Sequence, residues 1–411
     1  MRLTNNEITV NNEKTSNHNG EDEIYLSEQA KYEFNFYNDI LHSFETYRQY
    51  ILHHESITEH GRYLALAEIN RSHINCKKVL NYVAENKSIL SQSLPTKGPL
   101  VICGLPRTGT TLLYNLLSCD KNCRAPLFTD MCIDIVPPIA RSDSIQQQKR
   151  INTILSSIEL NKYFTNFRSR LTEVHPAYPI EEDYLILRQA TYLFFFTYIS
   201  NNNEIDSDIW LNNEMEKDYA YDYHEIFLRM LNSVDMPSSH WLLKSPMHCL
   251  YFDTFLRHYP NASFVITHRH LDEVLPSLCS LSWELARSAF EQHDVVDPEQ
   301  ITKRCWQLTD RMIDCIMKFY ESQKENMNSK LNILFNVTYN DLMSNPIDVV
   351  HRIYDHFGLD WSTEFEITMQ QWLVENPQGK QGRHSYSLKD FNLKFEEIET
   401  HYADYTKTFL A

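Results

Sequence analysis

The stretch Pro99-Leu-Val-Ile-Cys-Gly104 runs into the loop Leu105-Pro-Arg107-Thr-Gly109 and then into Thr110-Thr-Leu-Leu-Tyr-Asn-Leu-Leu117. A short apolar run ending on glycine, a tight loop, and an apolar segment with helical character make a strand–loop–helix unit. Such a unit presents unpaired backbone N–H groups at the helix N-terminus, where they suit an anion. The glycines at 104 and 109 give the G-x-x-x-x-G skeleton of a phosphate-cradling loop. A nucleotide triphosphatase follows that second glycine with Lys and then Ser or Thr, and here Thr110 and Thr111 stand there. The cation is Arg107, inside the loop, which suits a terminal phosphate with a bridging group and not a magnesium-held triphosphate.

The α/β signal returns downstream. Trp241–Lys244, Ser263–Thr267 and Asn332–Val337 read as further strands, each leading into a helical stretch. Strands alternating with helices predict an α/β fold, a P-loop-like parallel sheet flanked by helices. Residues 141–235 are helical and polar in pattern and read as a large helical insertion covering the site. Apolar spacing through Tyr32, Phe36, Ile40, Leu41 and Phe44 makes residues 26–95 an N-terminal helical segment ahead of an α/β domain at 96–411. Residues 1–25, rich in Asn and Glu, read as a disordered tail.

Composition bounds the partners. The chain has 38 Lys+Arg against 55 Asp+Glu, a net charge of −17, which excludes a non-specific nucleic-acid binder. It leaves room for an anionic small ligand held by a few local cations. The nine cysteines show no CxxC pairs and no zinc-type quartet, so no metal is expected and free thiols point to a reducing compartment. The start has no signal-peptide core, and the longest apolar run, Ala190–Ile199, is too short to span a bilayer. A cytoplasmic location is the expectation. Only 8 of the 411 residues are glycine, where an average usage of about 7% would give nearly thirty. Gly98, Gly104, Gly109, Gly379 and Gly382 nevertheless fall in or beside the segments that carry the proposed anion site.

One of those segments is Ser263-Phe-Val-Ile-Thr-His-Arg269, with Ser277 eight residues beyond the arginine. Arg269 lies past the C-terminal end of a predicted strand, where open α/β sheets bind ligands. Taken with Pro106-Arg-Thr-Gly-Thr-Thr-Leu-Leu113, Trp241-Leu-Leu-Lys-Ser-Pro246 and the late Gly382-Arg-His-Ser-Tyr-Ser-Leu-Lys-Asp-Phe391, the chain resembles sulfotransferases that use 3′-phosphoadenosine 5′-phosphosulfate (PAPS). The resemblance runs from about residue 99 to 411 and implies the following roles. Arg107, Thr108, Gly109, Thr110, Thr111 and Leu112 would cradle the 5′-phosphosulfate. Arg269 and Ser277 would grip the 3′-phosphate, joined by Arg383. Tyr339 falls on an adenine-contacting tyrosine, with a plain core tyrosine as the competing reading. Lys244 would contact the transferring group.

A base is also needed to take the acceptor's proton. The cytosolic branch places a histidine two residues after the lysine, but here that position is Pro246, and His248 is out of register. Relatives with this loop carry a glutamate in an A-P-L-x-W-E run; here the run is Ala125-Pro-Leu-Phe-Thr-Asp130. Asp130 is thus the first candidate base and His175, ahead of Glu181 and Glu182, the second. The aromatic run Tyr192–Phe196 suggests a lipophilic hydroxyl acceptor. Relatives of this kind often associate, so a homo-oligomer stays open. A nucleotide-dependent kinase and a non-catalytic adenosine bisphosphate binder are the rival functions.

Overall fold

The computed structural model describes residues 24–54, 57–132, 134–159, 180–192, 217–289, 297–325, 333–377 and 387–411. The expected disordered tail at 1–25 lies almost wholly outside the described residues. At the centre is a four-stranded sheet of β1 (Leu100–Gly104), β2 (Leu242–Lys244), β3 (Ser263–His268) and β4 (Leu334–Thr338), in the order β2-β1-β3-β4. Every pairing is parallel, with Val101 opposite both Leu243 and Phe264, and Ile266 opposite Asn336. The connection leaving β1 goes to one side and the connection leaving β2 crosses to the other. The crevice of such a sheet opens beyond the strands' C-terminal ends at that switch of direction.

The strands read as unbroken apolar runs because both sheet faces are covered. Leu100, Ile102, Leu242, Val265 and Val337 point into one core cluster. Val101, Cys103, Leu243, Phe264 and Ile266 point into the other. Helices lie on both sides, as the alternating pattern predicts. Before the sheet come α1 (Glu28–Glu33), α2 (Tyr37–His53) and α3 (Glu59–Glu85). Ser27 and Thr58 start α1 and α3 by accepting the Ala30 and Gly61 N–H groups. Side chains of α1–α3 join the same core cluster as β1 and β3.

After β1 come α4 (Thr110–Leu117), α5 (Phe128–Met131), α6 (Ser144–Glu159), α7 (Tyr184–Gln189) and α8 (Asp218–Asn232). The described part of the 141–235 region holds α6, α7 and α8. Yet α8 is no loose cover: Tyr221, Tyr223, Phe227, Leu228 and Met230 are fully buried in the main core. Its tyrosines read as polar in the sequence but place their rings inside and their hydroxyls on buried partners. Tyr221 bonds His248 at 3.0 Å and Tyr223 bonds Gln189 at 2.6 Å.

Beyond β2 come α9 (Phe252–His258), then α10 (Leu271–Ala289) and α11 (Pro298–Glu325) after β3. After β4 the chain forms α12 (Tyr339–Ser344), α13 (Pro346–Phe357), α14 (Thr363–Glu375), α15 (Phe395–His401) and α16 (Ala403–Phe409). The last helix is tied to the end of β3: Tyr405 and Asn336 bond the two ring nitrogens of His268, each at 2.9 Å, and Phe409 stacks on that ring at 4.0 Å. None of the described helices is long and apolar enough to cross a membrane.

Candidate active site

The loop from Gly104 to Gly109 is built on three left-handed residues. Gly104 has φ +128°, Arg107 φ 72° and Gly109 φ +92°. A Cβ on Gly104 would lie 2.6 Å from the Thr267 carbonyl oxygen, so only glycine lets β1 and β3 end this close together. A left-handed arginine is uncommon, and such strain gathers at ligand-binding turns. Thr108 locks the turn from within: its fully buried hydroxyl contacts the Leu105 carbonyl at 2.6 Å and the Thr267 hydroxyl at 2.5 Å. That hydroxyl is therefore committed to the loop and leaves only backbone for a ligand. Gly109 caps α4, and the first bond inside the helix runs from Leu113 N–H to the Gly109 carbonyl at 3.2 Å. The N–H groups of Thr110, Thr111 and Leu112 precede that bond and form the anion-binding end of the helix.

The cations expected from the sequence converge here. Arg107 Nε donates to Ser277 Oγ at 2.9 Å. Arg269 Nη1 donates to the Arg107 carbonyl at 3.1 Å, and its guanidinium sits 4.0 Å from the Tyr339 ring centroid. Tyr339 in turn lies against Gly109, where an added Cβ would meet its ring at 3.1 Å. Arg107, Gly109, Arg269, Ser277 and Tyr339 thus form one continuous surface. Glu273 pairs with Arg269 Nε at 2.6 Å.

Lys244, the last residue of β2, completes the group from the other side. Its ammonium lies 3.4 Å from Thr111 Oγ1 and forms an ion pair with Glu182. Directly behind sits Asp183, fully buried. One Asp183 oxygen accepts the Lys244 backbone N–H at 2.8 Å; the other accepts His248 at 2.8 Å and His224 at 3.0 Å. Burial alone would raise the Asp183 carboxyl, but the bonded His248 and His224 outweigh it and hold it far below the usual carboxylate range. Burial keeps His224 neutral, pushing it below its ordinary value despite Asp183. Each ring donates to Asp183 through Nε2, since a carboxylate only accepts, and meets a tyrosine hydroxyl at Nδ1, Tyr221 for His248 and Tyr259 for His224.

The structure places Asp130 elsewhere, in contrast to the expectation of a reachable base. It is fully buried in α5, accepts the Leu127 N–H at 3.0 Å and faces Arg124 at 3.7 Å. Burial raises its carboxyl, and the charges acting on it are those of Arg124, Arg150 and Asp235. Arg124 is itself buried against Trp241 at 4.9 Å. Withdrawing Asp130 to meet an acceptor would take from the buried guanidinium one of its two carboxylate partners, leaving Asp235 at 3.9 Å. The physical reason is orientation: Asp130 points down into the protein and closes its own helix. His175, Arg383 and the Leu193–Phe196 part of the aromatic run lie outside the described residues.

The site that sequence reasoning missed is the Glu182–Asp183 pair with its two histidines. The acidic run gave a weak signal, because adjacent carboxylates usually mark a solvated face.

Known proteins carry the same loop-and-sheet plan. The profile of the Sulfotransferase family matches residues 99–363, well over half of the chain, and the chain belongs to that family. Sulfotransferase STF9 from Mycobacterium avium is a similar solved structure, with 23% identity, 88% of each chain covered and a TM-score of 0.74. Sulfotransferase STF1 from Mycobacterium tuberculosis H37Rv is 21% identical over 92% of this chain and 93% of its own, with a TM-score of 0.63. At these identities the two structures support the P-loop-like fold. No curated protein matches the chain.

Proposed function

We propose that the protein transfers a sulfuryl group from PAPS to the hydroxyl of a small, lipophilic acceptor. The observation that carries this reading is the single surface joining the α4 N-terminus, Arg107, Arg269, Ser277 and Tyr339. PAPS carries anionic groups at both the 5′ and 3′ ends of one nucleoside, and this surface offers two arginines, Arg269 being bonded to the Arg107 carbonyl. In this reading Arg107 and the Thr110–Leu112 N–H groups take the 5′ end, and Arg269 with Ser277 takes the 3′-phosphate. The Tyr339 ring supplies a flat apolar face beside them, and the late Arg383 joins the 3′ end. Lys244 stabilises the charge that develops on the leaving oxygen, the kind of electrostatic aid worth about 3–4 kcal/mol for one well-placed donor.

The kinase alternative fares worse, because no lysine follows Gly109 and the cation inside the loop is an arginine. The two readings separate by thermal shift. Adenosine 3′,5′-bisphosphate at a hundredfold excess over its Kd stabilises by about 2.7 kcal/mol, which raises the melting temperature of a chain this long by roughly 3 °C. ATP with magnesium should move it by less than about 1 °C. A larger shift with ATP than with the bisphosphate would overturn the sulfotransferase reading.

A further inference from the structure

We infer that Glu182 is the general base of the transfer; this rests on the PAPS reading above and deepens it. Three consecutive acids, Glu181, Glu182 and Asp183, meet three different fates. Ile180 bridges to Leu127, and the Glu181 N–H donates to the Pro126 carbonyl at 3.2 Å, so the chain entering the run is stitched to the segment before α5. The Glu181 carboxylate turns back and accepts the Glu182 N–H at 2.8 Å. Asp183 is sunk beneath the sheet edge among His224, His248 and the Lys244 backbone. With its neighbours fixed on both sides, Glu182 projects at Lys244, and its side chain keeps 18% exposure where Asp183 has none.

This is the geometry a base needs. Lys244 touches both Glu182 and Thr111, so the carboxylate stands one side chain away from the helix end that holds the sulfuryl donor. The carboxylate is held by Lys244 and is still reachable from solvent. Asp130 meets neither requirement of access nor of position, since it is buried on Arg124. The Asp183–histidine cluster is a positioning group: it fixes the β2 end and thereby the Lys244–Glu182 pair.

In the transfer, the acceptor O–H proton passes to the Glu182 carboxylate as the acceptor oxygen's lone pair forms the new S–O bond. The S–O bond to the 5′-phosphate breaks, and its electron pair leaves on the phosphate oxygen of adenosine 3′,5′-bisphosphate. Protonated Glu182 then returns its proton to water. Lys244, pairing first with Glu182, is released by that protonation to face the leaving oxygen.

The test uses the full chain, ³⁵S-labelled PAPS, 2-naphthol as acceptor, and hydrolysis of PAPS by water as the parallel readout. Glu182→Gln should bind adenosine 3′,5′-bisphosphate within about threefold of the parent and lower both turnovers at least about 100-fold, the scale of a lost general base. The acid limb of the kcat/KM–pH profile should vanish with it, a change that loss of a merely structural residue would not produce. Turnover within about threefold of the parent, or an unchanged acid limb, overturns the assignment. Should the amide variant fail to fold, Glu182→Asp serves: it should keep the acid limb while kcat falls about tenfold, and an unchanged kcat overturns the assignment. Failure of the parent to bind the bisphosphate would instead remove the PAPS reading itself, so the two failures are distinct.

Discussion

Arg107→Ala is expected to weaken binding of adenosine 3′,5′-bisphosphate by about 100-fold or more. Each charge-assisted hydrogen bond to a phosphate is worth about 1.5–3 kcal/mol, and a guanidinium at this point can make two. The substitution is clean for three structural reasons. Arg107 sits at φ 72°, a conformation alanine tolerates no better and no worse, so backbone strain is unchanged. Arg269 holds the loop through the Arg107 carbonyl, which truncation of the side chain leaves in place. Ser277, which loses its donor, is nearly fully buried and is held in place within α10. Arg107→Lys keeps the charge but not the planar fork, and should fall between the two. Titration calorimetry reads all three proteins. An alanine variant that binds like the parent would show that the loop cation does not touch the nucleotide.

The second large effect is on stability in mild acid. Burial pushes His73 down to about 3, and His240 and His268 down to about 4, each from an ordinary value near 6.5. His224 is lowered by the same cause. The sign follows from which state binds protons. As pH falls below about 6.5 the unfolded chain protonates these rings while the folded chain does not, so stability is present above that pH and is lost on descent. Three such rings cost at most about 4 kcal/mol per pH unit, a total of about 6 kcal/mol between about pH 7.5 and 5, which is within the range of a whole domain's stability. His258 works in the opposite direction: although burial lowers it, the bonds to Glu225 and Asp218 and the charge of Asp222 raise it, and it offsets a fraction of the loss.

In the folded chain His268 stays neutral over this range and keeps accepting the Tyr405 hydroxyl, so the loss of stability arises from protonation of the unfolded chain. Scanning calorimetry from pH 7.5 to 5 should show the melting temperature falling by roughly 7 °C, with most of the fall below pH 6.5. A flat profile would mean that these histidines are hydrated in the folded state.

How much of this was legible in advance depends on what each residue's signal reports. The four strands stood out because a sheet covered on both faces needs unbroken apolar runs, and Leu100–Cys103 and Phe264–Ile266 are such runs. The loop stood out because Gly104 and Gly109 are demanded by backbone geometry, in a chain otherwise sparing with glycine. Arg269 and Ser277 were legible as a spaced pair, and the structure adds that both reach Arg107.

What failed was orientation. A register in the sequence says that an acid follows Ala125-Pro-Leu127; it does not say whether Asp130 looks out to the crevice or in toward Arg124. Glu182 and Asp183 were masked for the opposite reason, because an acidic pair reads as solvated surface. Only the fold brings Lys244, His224 and His248 from distant segments to give the two carboxylates different tasks. The tyrosines of α8 misled in a similar way: their hydroxyls look polar, yet each finds a buried partner and the helix joins the core.

Transfer of the label from ³⁵S-PAPS to an organic hydroxyl is the most direct test of the central claim. The full chain is incubated with the donor and a panel of phenols and medium-chain alcohols, and products are resolved by chromatography. The account predicts acceptor-dependent labelled sulfate esters, formed one for one with adenosine 3′,5′-bisphosphate. Binding of the bisphosphate without any labelled ester or sulfate would contradict it and mark the chain as a nucleotide binder that does not catalyse transfer.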